Sequence, residues 1–511
     1  MKNQFKERRS MTRQLFSRPA DGRQAVTDGY LLLMLLVFPL FTGVRGYADI
    51  TASKFLFFVI ATSLWLLALL ALTLAGWHRT ENAPPLAKAQ MPPLWCAVFP
   101  AACCLSALVS PFGVACLIGA GRFDGLVTQL LLCAVFFGTA RFGRFRRRHA
   151  AALAVSVTVC CLVAFLQRLG YNPLWLFPEG LHYYDAYVRF PGLFLGTVGN
   201  ADLHSAFLCL AFPLFLSLFI SGRTRLARLY LFPLFVSVAG FILCGVSGGL
   251  LAAGLCVLFS PALLVRDLSC LRRWLLAMAV CFFAAAPALA FHGEFRDGAV
   301  AWGFFPNLRV IACLVLAAVC LAVCAGTFRI RRAVSDRGLR RFFLTLAAAV
   351  LLLVLAAVWF TPARSGTVYE LSQAMRGHLE DSYGSSRIRI WRGVLALIPE
   401  RPVFGGGPGT LALRLEIEFS RFVPETGGTL RTYVDNAHNQ YLQLLADTGA
   451  AGLAGYVLLL ACTLAHAAKK RAPQTLALLC YCVQDFFGLG LCLVSPVFWL
   501  ILGLSLSGSD I

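Results

Sequence analysis

The sequence predicts an all-α, polytopic transmembrane helical bundle of about 12–14 spans, with one long, partly helical external loop between late spans. Three observations predict it. Apolar windows near the length of one bilayer crossing recur along nearly the whole chain. Of its 511 residues 59% are hydrophobic and 14% charged, and the mean hydropathy is +0.75, which excludes an ordinary soluble domain. The charge is also one-sided: with a cytoplasmic N-terminus, 29 of the 45 Lys and Arg fall in segments facing the cytoplasm, the positive-inside pattern. The formal charge of +21 therefore orients the protein in a cytoplasmic membrane and leaves no nucleic-acid footprint.

Taken in order, residues 1–29 form a basic cytoplasmic tail with seven Lys and Arg. The apolar run that follows has no small-residue cleavage site, so it reads as a retained first span, near Tyr30–Val44 with Pro39 inside. Residues 30–361 make a transmembrane bundle of about 11 spans. A second span runs to Trp77, and a third (Leu94–Pro111) reaches an external turn holding Gly121-Arg122-Phe123-Asp124-Gly125. The fourth ends at the basic run Arg141–Arg148, and the fifth reaches about Leu169. An external segment rich in Tyr, Pro and Gly then carries Arg189 and Asn200. Spans six to eight follow, with a tight hairpin at Gly245–Gly249. Spans nine and ten flank an external loop at His292–Asn307, and span eleven covers Phe342–Phe360. After the long loop, residues 449–511 return to the membrane, where the stretch beyond Gln474 is long enough for two short spans. The 19 cysteines lie in or beside apolar runs and read as small apolar helix residues.

Residues 362–448 form the long loop, with nine Lys and Arg balanced by nine Asp and Glu. Loops of this length are functional or disordered, and this one looks ordered. Arg387–Ile398 reads as an amphipathic helix, with Trp391, Val394, Leu395 and Ile398 as an apolar stripe able to lie on the outer membrane surface. Arg387, one turn before Trp391, shares the edge of that stripe at phosphate depth. Gly405-Gly406-Gly407-Pro408-Gly409 offers amides that can cradle phosphate. It lacks a preceding strand and a Lys-Ser/Thr ending, so a plain turn is the simpler reading. Leu411–Phe422 is a further candidate helix, whose Glu416 and Glu418 pair with Arg414 or Arg421 or stay solvated.

The loop closes on Asp435-Asn436-Ala437-His438-Asn439-Gln440-Tyr441-Leu442-Gln443, running on to Asp447-Thr448-Gly449. Asp435 or Asn436 can cap a helix, and Gly449 can end it in a left-handed conformation. His438 then lies in the first turn, where the helix dipole disfavours its protonation and suits it to act as a base. A structural cap with a solvated His explains this stretch equally simply when it is taken alone.

Several of these motifs together resemble the O-antigen ligase/polymerase family. They are Arg387-x3-Trp391, then Arg401-Pro402-Val403-Phe404-Gly405-x-Gly407-Pro408-Gly409, then His438-Asn439-x2-Leu442-Gln443-x4-Thr448-Gly449-x2-Gly452. Gly121–Gly125 and the Arg189…Asn200 segment resemble its weaker upstream motifs. The resemblance implies a multi-span glycosyltransferase at the outer face of the inner membrane. Its donor would be a polyprenyl-diphosphate-linked glycan and its acceptor a glycan or a lipid. It also implies metal-independent in-line displacement with inversion and no cofactor.

The residue types suit that chemistry. A sugar hydroxyl must lose its proton as it attacks the anomeric carbon, which makes His438 the candidate base. The departing lipid diphosphate gathers charge that arginine can meet. Arg387 is the first candidate and Arg189 the second, with Arg122 and Arg401 behind them. Asn436, Asn439, Gln443 and Asn200 are supporting candidates. An interfacial, snorkelling Arg is the structural alternative for Arg387. One departure stands out: many relatives carry a Ser-Arg-Gly type motif after the seventh span, where this chain has Val246-Ser247-Gly248-Gly249. Asp485, inside an apolar run, is a further group of interest, with Gln484 or Tyr481 as expected partners. Transfer to an acceptor (ligase) and repeat-unit polymerisation share the signature. A lipid-linked glycan transporter is the competing class, disfavoured because the polar candidates cluster around one external loop and not near the midplane.

Overall fold

The computed structural model describes residues 22–76, 94–178, 193–222, 224–296, 299–304, 307–329, 335–423 and 428–507. Among these, ten helices are long and apolar enough to cross a membrane, and four shorter apolar helices join them. The chain is an all-α polytopic bundle. Two antiparallel hairpins supply the strands among the described residues.

The first three membrane helices are α1 (Gly22–Leu40), α2 (Ile50–Leu74) and the shorter α3 (Val98–Leu108). Then come α4 (Leu126–Phe142), α5 (Arg147–Arg168) and α6 (Ala201–Ser221). The long apolar window of helix α6 is buried throughout, which is where such a stretch must go. Around it stand α7 (Leu231–Cys244), α8 (Ser247–Leu264) and α9 (Leu268–Ala290). The hairpin β1 (Phe291–Arg296) and β2 (Ala299–Phe304) leads to the peripheral pair α10 (Leu308–Gly326) and α11 (Asp336–Trp359). Only 11% of each of these last two helices' apolar windows is buried. Helix α11 leans on the bundle through Leu339 and Phe343, which meet Ala262 and Val265, and leaves Leu352 and Leu353 exposed.

Two polar details keep the bundle satisfied in an apolar setting. Near Pro39, α1 passes through a π-helical turn at Leu33–Val37, and its last carbonyls lose their helical partners. Lys54, fully buried one turn into α2, donates Nζ to the Phe38 and Pro39 carbonyls at 3.0 and 3.1 Å, and Thr197 donates to Pro39 O at 2.8 Å. Gln167 braces the segment before α6 by accepting from the Leu195 and Gly196 amides. All nineteen cysteines are free thiols.

The long loop folds into a cap over one end of the bundle, termed here the loop face. It contains α12 (Gly366–Met375), α13 (Tyr383–Leu397) and the hairpin β3 (Glu418–Val423) with β4 (Gly428–Tyr433). Then come the long α14 (Gln440–Lys470) and the short α15 (Thr475–Gln484) and α16 (Ser495–Leu506). Helix α14 is two helices meeting at a kink at Gly449 (φ 65°, ψ −170°), so this glycine ends the first helix and redirects the chain into the second. A Cβ there would lie 2.3 Å from the Val403 carbonyl, so the bend lets the glycine-rich loop press against the helix.

Two expectations for the loop are corrected. Leu411–Phe422 is not a helix. After a short 3-10 turn at Leu411–Leu413 it becomes β3, because Ile417-Glu418-Phe419-Ser420 alternates apolar and polar residues, the period of a strand. Glu418 pairs with Arg431 across the hairpin, and Arg414 turns inward to Asp447. The apolar side of α13 also does not face the membrane surface. Ile390 and Val394 are buried against Leu411, Leu415, Ile417, Val434 and Ala437, each worth about 1.5–3 kcal/mol of burial, and Leu395 is left exposed.

Candidate functional site

The loop face is assembled around the segment from Val434 to Gln440. Val434 N donates to Ile417 O, which anchors it to the hairpin. Asn436 accepts from the His438 amide at 2.8 Å. Asn439 then caps α14, its side chain accepting from the amides of Tyr441 and Leu442 at 3.0 and 3.1 Å. The cap is therefore Asn439, where the sequence suggested Asp435 or Asn436, and His438 stands just ahead of the helix. Its backbone is left-handed (φ 49°), an unusual state for a side-chain-bearing residue that surroundings must enforce.

Those surroundings are specific. The peptide of Ala437, next to His438, is gripped from both sides. Trp391 Nε1 on α13 donates to its carbonyl at 3.0 Å, and Gln443 Oε1 on α14 accepts from its amide at 3.0 Å. Gln443 in turn donates to Asp447 at 2.7 Å. Asp447 also accepts from Arg414 and from the Gly409 amide, and its carbonyl receives Gly407 N and Ser106 Oγ. The start of α14 is tied to the last spans by Gln440 N on Asp485 O and Gly490 N on Gln440 Oε1.

Arg387 reaches this segment from a tight turn. Gly384, Ser385 and Ser386 are all left-handed, folding the chain back so that Arg387 Nη1 donates to Gly384 O at 3.0 Å. Its Nη2 lies 3.8 Å from Asp202, in the first turn of α6. Arg122 meets Asp435 at 2.6 Å. Burial pushes the His438 pKa down to about 4, and the guanidinium groups of Arg387 and Arg122 act in the same direction, against a smaller opposing effect from Asp435. Burial and neighbouring charge thus favour the neutral imidazole. Nδ1 of His438 and Nε of Arg387 are buried without a hydrogen-bond partner among the described residues. Each such orphan costs about 1–3 kcal/mol, which a polar ligand would recover.

The remaining sequence candidates separate. Asn200 caps α6, accepting from Leu203 N two residues from Asp202. Asn436, Asn439 and Gln443 hold the backbone around His438. Arg401 sits apart, its Nη1 on the Val109 carbonyl at the exposed surface, and it is absent from the charges acting on His438. Arg189 lies outside the described residues. The glycine run is a packing turn: the amides of Gly405, Gly406, Gly407 and Gly409 are all spent on Arg401 O, Ala446 O and Asp447, leaving none for phosphate. Gly248 admits no larger residue without rearrangement, since a Cβ would lie 2.8 Å from Phe487 Cβ and 3.1 Å from Gln484 Oε1. The Asp485 carboxylate faces the Tyr456 hydroxyl at 3.5 Å, not the side chains of Gln484 or Tyr481.

Sequence reasoning did not single out Asp447, Arg414 or Asp202. Asp447 follows Gln443 by one helical turn, the spacing at which their side chains meet, and that was the available signal. Asp124, from the upstream glycine-flanked motif, wedges between Gly119 and Gly409, and burial pushes its pKa up to about 6.

Residues 307–457 match the family model described as O-antigen ligase. The match begins at α10 and ends within α14, so it includes Arg387, the hairpin and His438 and leaves Arg122 and Asn200 outside. No curated protein matches the chain.

Proposed function

We propose, since residues 307–457 match the O-antigen ligase family model and the chain is a multi-pass membrane protein, that it is a glycosyltransferase of the ligase type. It moves a glycan from a polyprenyl diphosphate carrier to an acceptor hydroxyl at the outer face of the cytoplasmic membrane. The observation that carries this reading is the buried, unpartnered Nδ1 of His438 and Nε of Arg387 on the loop face among the described residues, with Arg387 and Arg122 near enough to oppose protonation of the imidazole. A cytoplasmic N-terminus is supported by the basic residues Arg146–Arg148, Arg272, Arg273 and Lys469–Arg471, which stand at the other ends of the same helices.

In the proposed reaction His438 takes the proton of the acceptor hydroxyl as its oxygen attacks the anomeric carbon. The bond from that carbon to the diphosphate oxygen breaks, and its electron pair leaves with the diphosphate. Arg387 and Arg122 meet the charge that develops there, so the step needs no metal ion. Attack opposite the leaving group inverts the anomeric centre. Asp202 and Asp435 hold the two arginines until the donor arrives. Repeat-unit polymerisation would use the same groups with a lipid-linked glycan as acceptor. A lipid-linked glycan transporter is less well supported, because the polar groups gather at one end of the bundle.

The test is the length profile of surface and lipid-linked glycans in a deletion strain complemented with wild type or His438→Ala, with both expressed equally. Full-length chains stranded on the carrier mark a ligase, and single repeat units mark a polymerase. Normal profiles with His438→Ala would remove the proposed base. Unchanged profiles in the deletion strain would count against glycan assembly itself.

A further inference from the structure

Helix α12 is built inside out. Its outward residues are Val368 and Leu371, 49% and 47% exposed, and Met375 at 36%, spaced along one helical stripe. Two of its polar residues turn inward: Ser372 is buried, and Glu370 accepts from the Gly384 amide at 3.0 Å, while Thr367 is exposed. A helix facing water shows the opposite arrangement. The stripe follows closely on α11, one of the helices able to cross a membrane, which ends at Trp359; Trp359 and Phe360 are both exposed, and α12 begins six residues after Phe360. Arg376 closes the other end of α12 by donating to Trp359 O, with its guanidinium 5.5 Å from the Trp359 ring centre. Paired Trp and Arg are the usual furniture of a membrane interface.

We propose that α12 is an interfacial helix, its Val368–Leu371–Met375 face seated at the headgroup and acyl boundary of the leaflet on the loop face. The lipid contact also has a consequence for the site. Glu370 holds the Gly384 amide, Tyr369 meets Tyr383 edge-on at 6.4 Å, and Arg387 follows Gly384 by three residues. Seating α12 in the leaflet therefore fixes the depth of Arg387 relative to the lipid phosphates. This second part rests on the transferase reading above.

A fluorescent noncanonical residue placed at position 371, in the full chain in phosphatidylcholine–phosphatidylglycerol nanodiscs, tests the contact directly. Lipids carrying a nitroxide at carbon 5 are expected to quench it several-fold more than aqueous iodide does. Iodide quenching as strong as for the free fluorophore, with no lipid quenching, overturns the proposal. The same probe at position 372, the buried side of the helix, is expected to respond weakly to both quenchers. The depth argument is tested by Leu371→Glu, expected to lower kcat/KM for a lipid-linked donor at least fivefold at unchanged thermal stability. A fully active Leu371→Glu protein would sever α12 from the site. If position 371 is lipid-quenched but wild type transfers no glycan, the transferase reading fails and the interfacial helix stands.

Discussion

Two clusters of His, Arg and Asp occupy opposite ends of this bundle, made of the same residue types and wired differently. Away from the loop face, Asp28 on α1 is shared by Arg146, Arg148 and His149, with His149 Nε2 3.0 Å from its carboxylate. The other ring nitrogen of His149 accepts from the Arg146 amide at 3.1 Å, and the carboxylate shared by the three side chains locks α5 to α1. At the loop face His438 has no carboxylate within ion-pair distance among the described residues, and its Nδ1 lacks a partner there. The arginines near it are held by other acids, Asp202 and Asp435. Both clusters keep buried nitrogens without a hydrogen-bond partner among the described residues, Nε of Arg148 in the first and Nδ1 of His438 and Nε of Arg387 in the second. What separates them is that the first closes on one shared carboxylate, as a clasp does, while the His438 imidazole faces none.

The sharpest way to break that distinction is to remove each histidine. His438→Ala is expected to lower the transfer rate by about 10²–10⁴-fold, the range for loss of a general base, with the thermal transition little changed. His149→Ala is expected to do the reverse, costing about 1–3 kcal/mol of stability through the partners left behind while turnover in folded protein stays near wild type. Parallel glycan-transfer assays and thermal melts of the two variants decide it. Matching effects on both readouts would erase the difference between the clusters.

Arg387→Gln comes next, with an expected loss of about 10²–10³-fold, as for removal of one donor to a charged transition state. It carries a second signature in pH. Because protonation of His438 is held down to about 4, the wild-type rate should stay level from about pH 8 to about pH 5 and fall only below that. Removing one of the cations that oppose the imidazolium raises that pKa toward the ordinary 6.5, so the acidic limb should move upward in pH. A limb that stays in place, or moves down, would show that Arg387 does not act on His438. Asp435→Asn should have a smaller effect of a different kind. It removes a carboxylate that competes with a ligand phosphate for Arg122, so inhibition by inorganic pyrophosphate should tighten by about threefold to tenfold, about 1 kcal/mol. Weaker inhibition would mean that Asp435 positions Arg122 for the ligand instead.

The contrast between the two ends also explains what could be read from the chain alone. Helices such as α6 announce themselves, because an unbroken apolar run has one stable destination in a membrane protein. The segment 411–423 did not, since a short mixed run satisfies helical and strand periods alike until Gly428–Tyr433 supplies the pairing edge. His438 and Arg387 were legible as residue types near a helix start and beside an aromatic stripe. Their geometry was not. Asp435, Asn436 and Asn439 are all competent caps, and Asn439 wins only because Trp391 and Gln443 pin the Ala437 peptide ahead of it. Trp391 lies 46 residues away from Ala437, and no local pattern encodes such a contact. The Asp447 network is equally remote in sequence, joining α14 to Gly409 and Arg414.

Arg401 sets the lower end of the scale. It belongs to the same loop, stands next to the Pro402–Gly409 turn, and by residue type alone is as good a partner for diphosphate as Arg387. In the fold its guanidinium is at the surface, bonded to the Val109 carbonyl at 3.1 Å, and it exerts no resolved influence on His438. An exposed hydrogen bond of this kind is worth at most about 0.5 kcal/mol, so Arg401→Ala should leave the melting temperature and the transfer rate within about twofold of wild type. The glycine turn beside it is secured by backbone bonds to Ala446 and Asp447 that do not involve the Arg401 side chain. A loss approaching that of Arg387→Gln would mean that the diphosphate lies toward Val109, and the cluster at His438 would then have to be redrawn around a different cation.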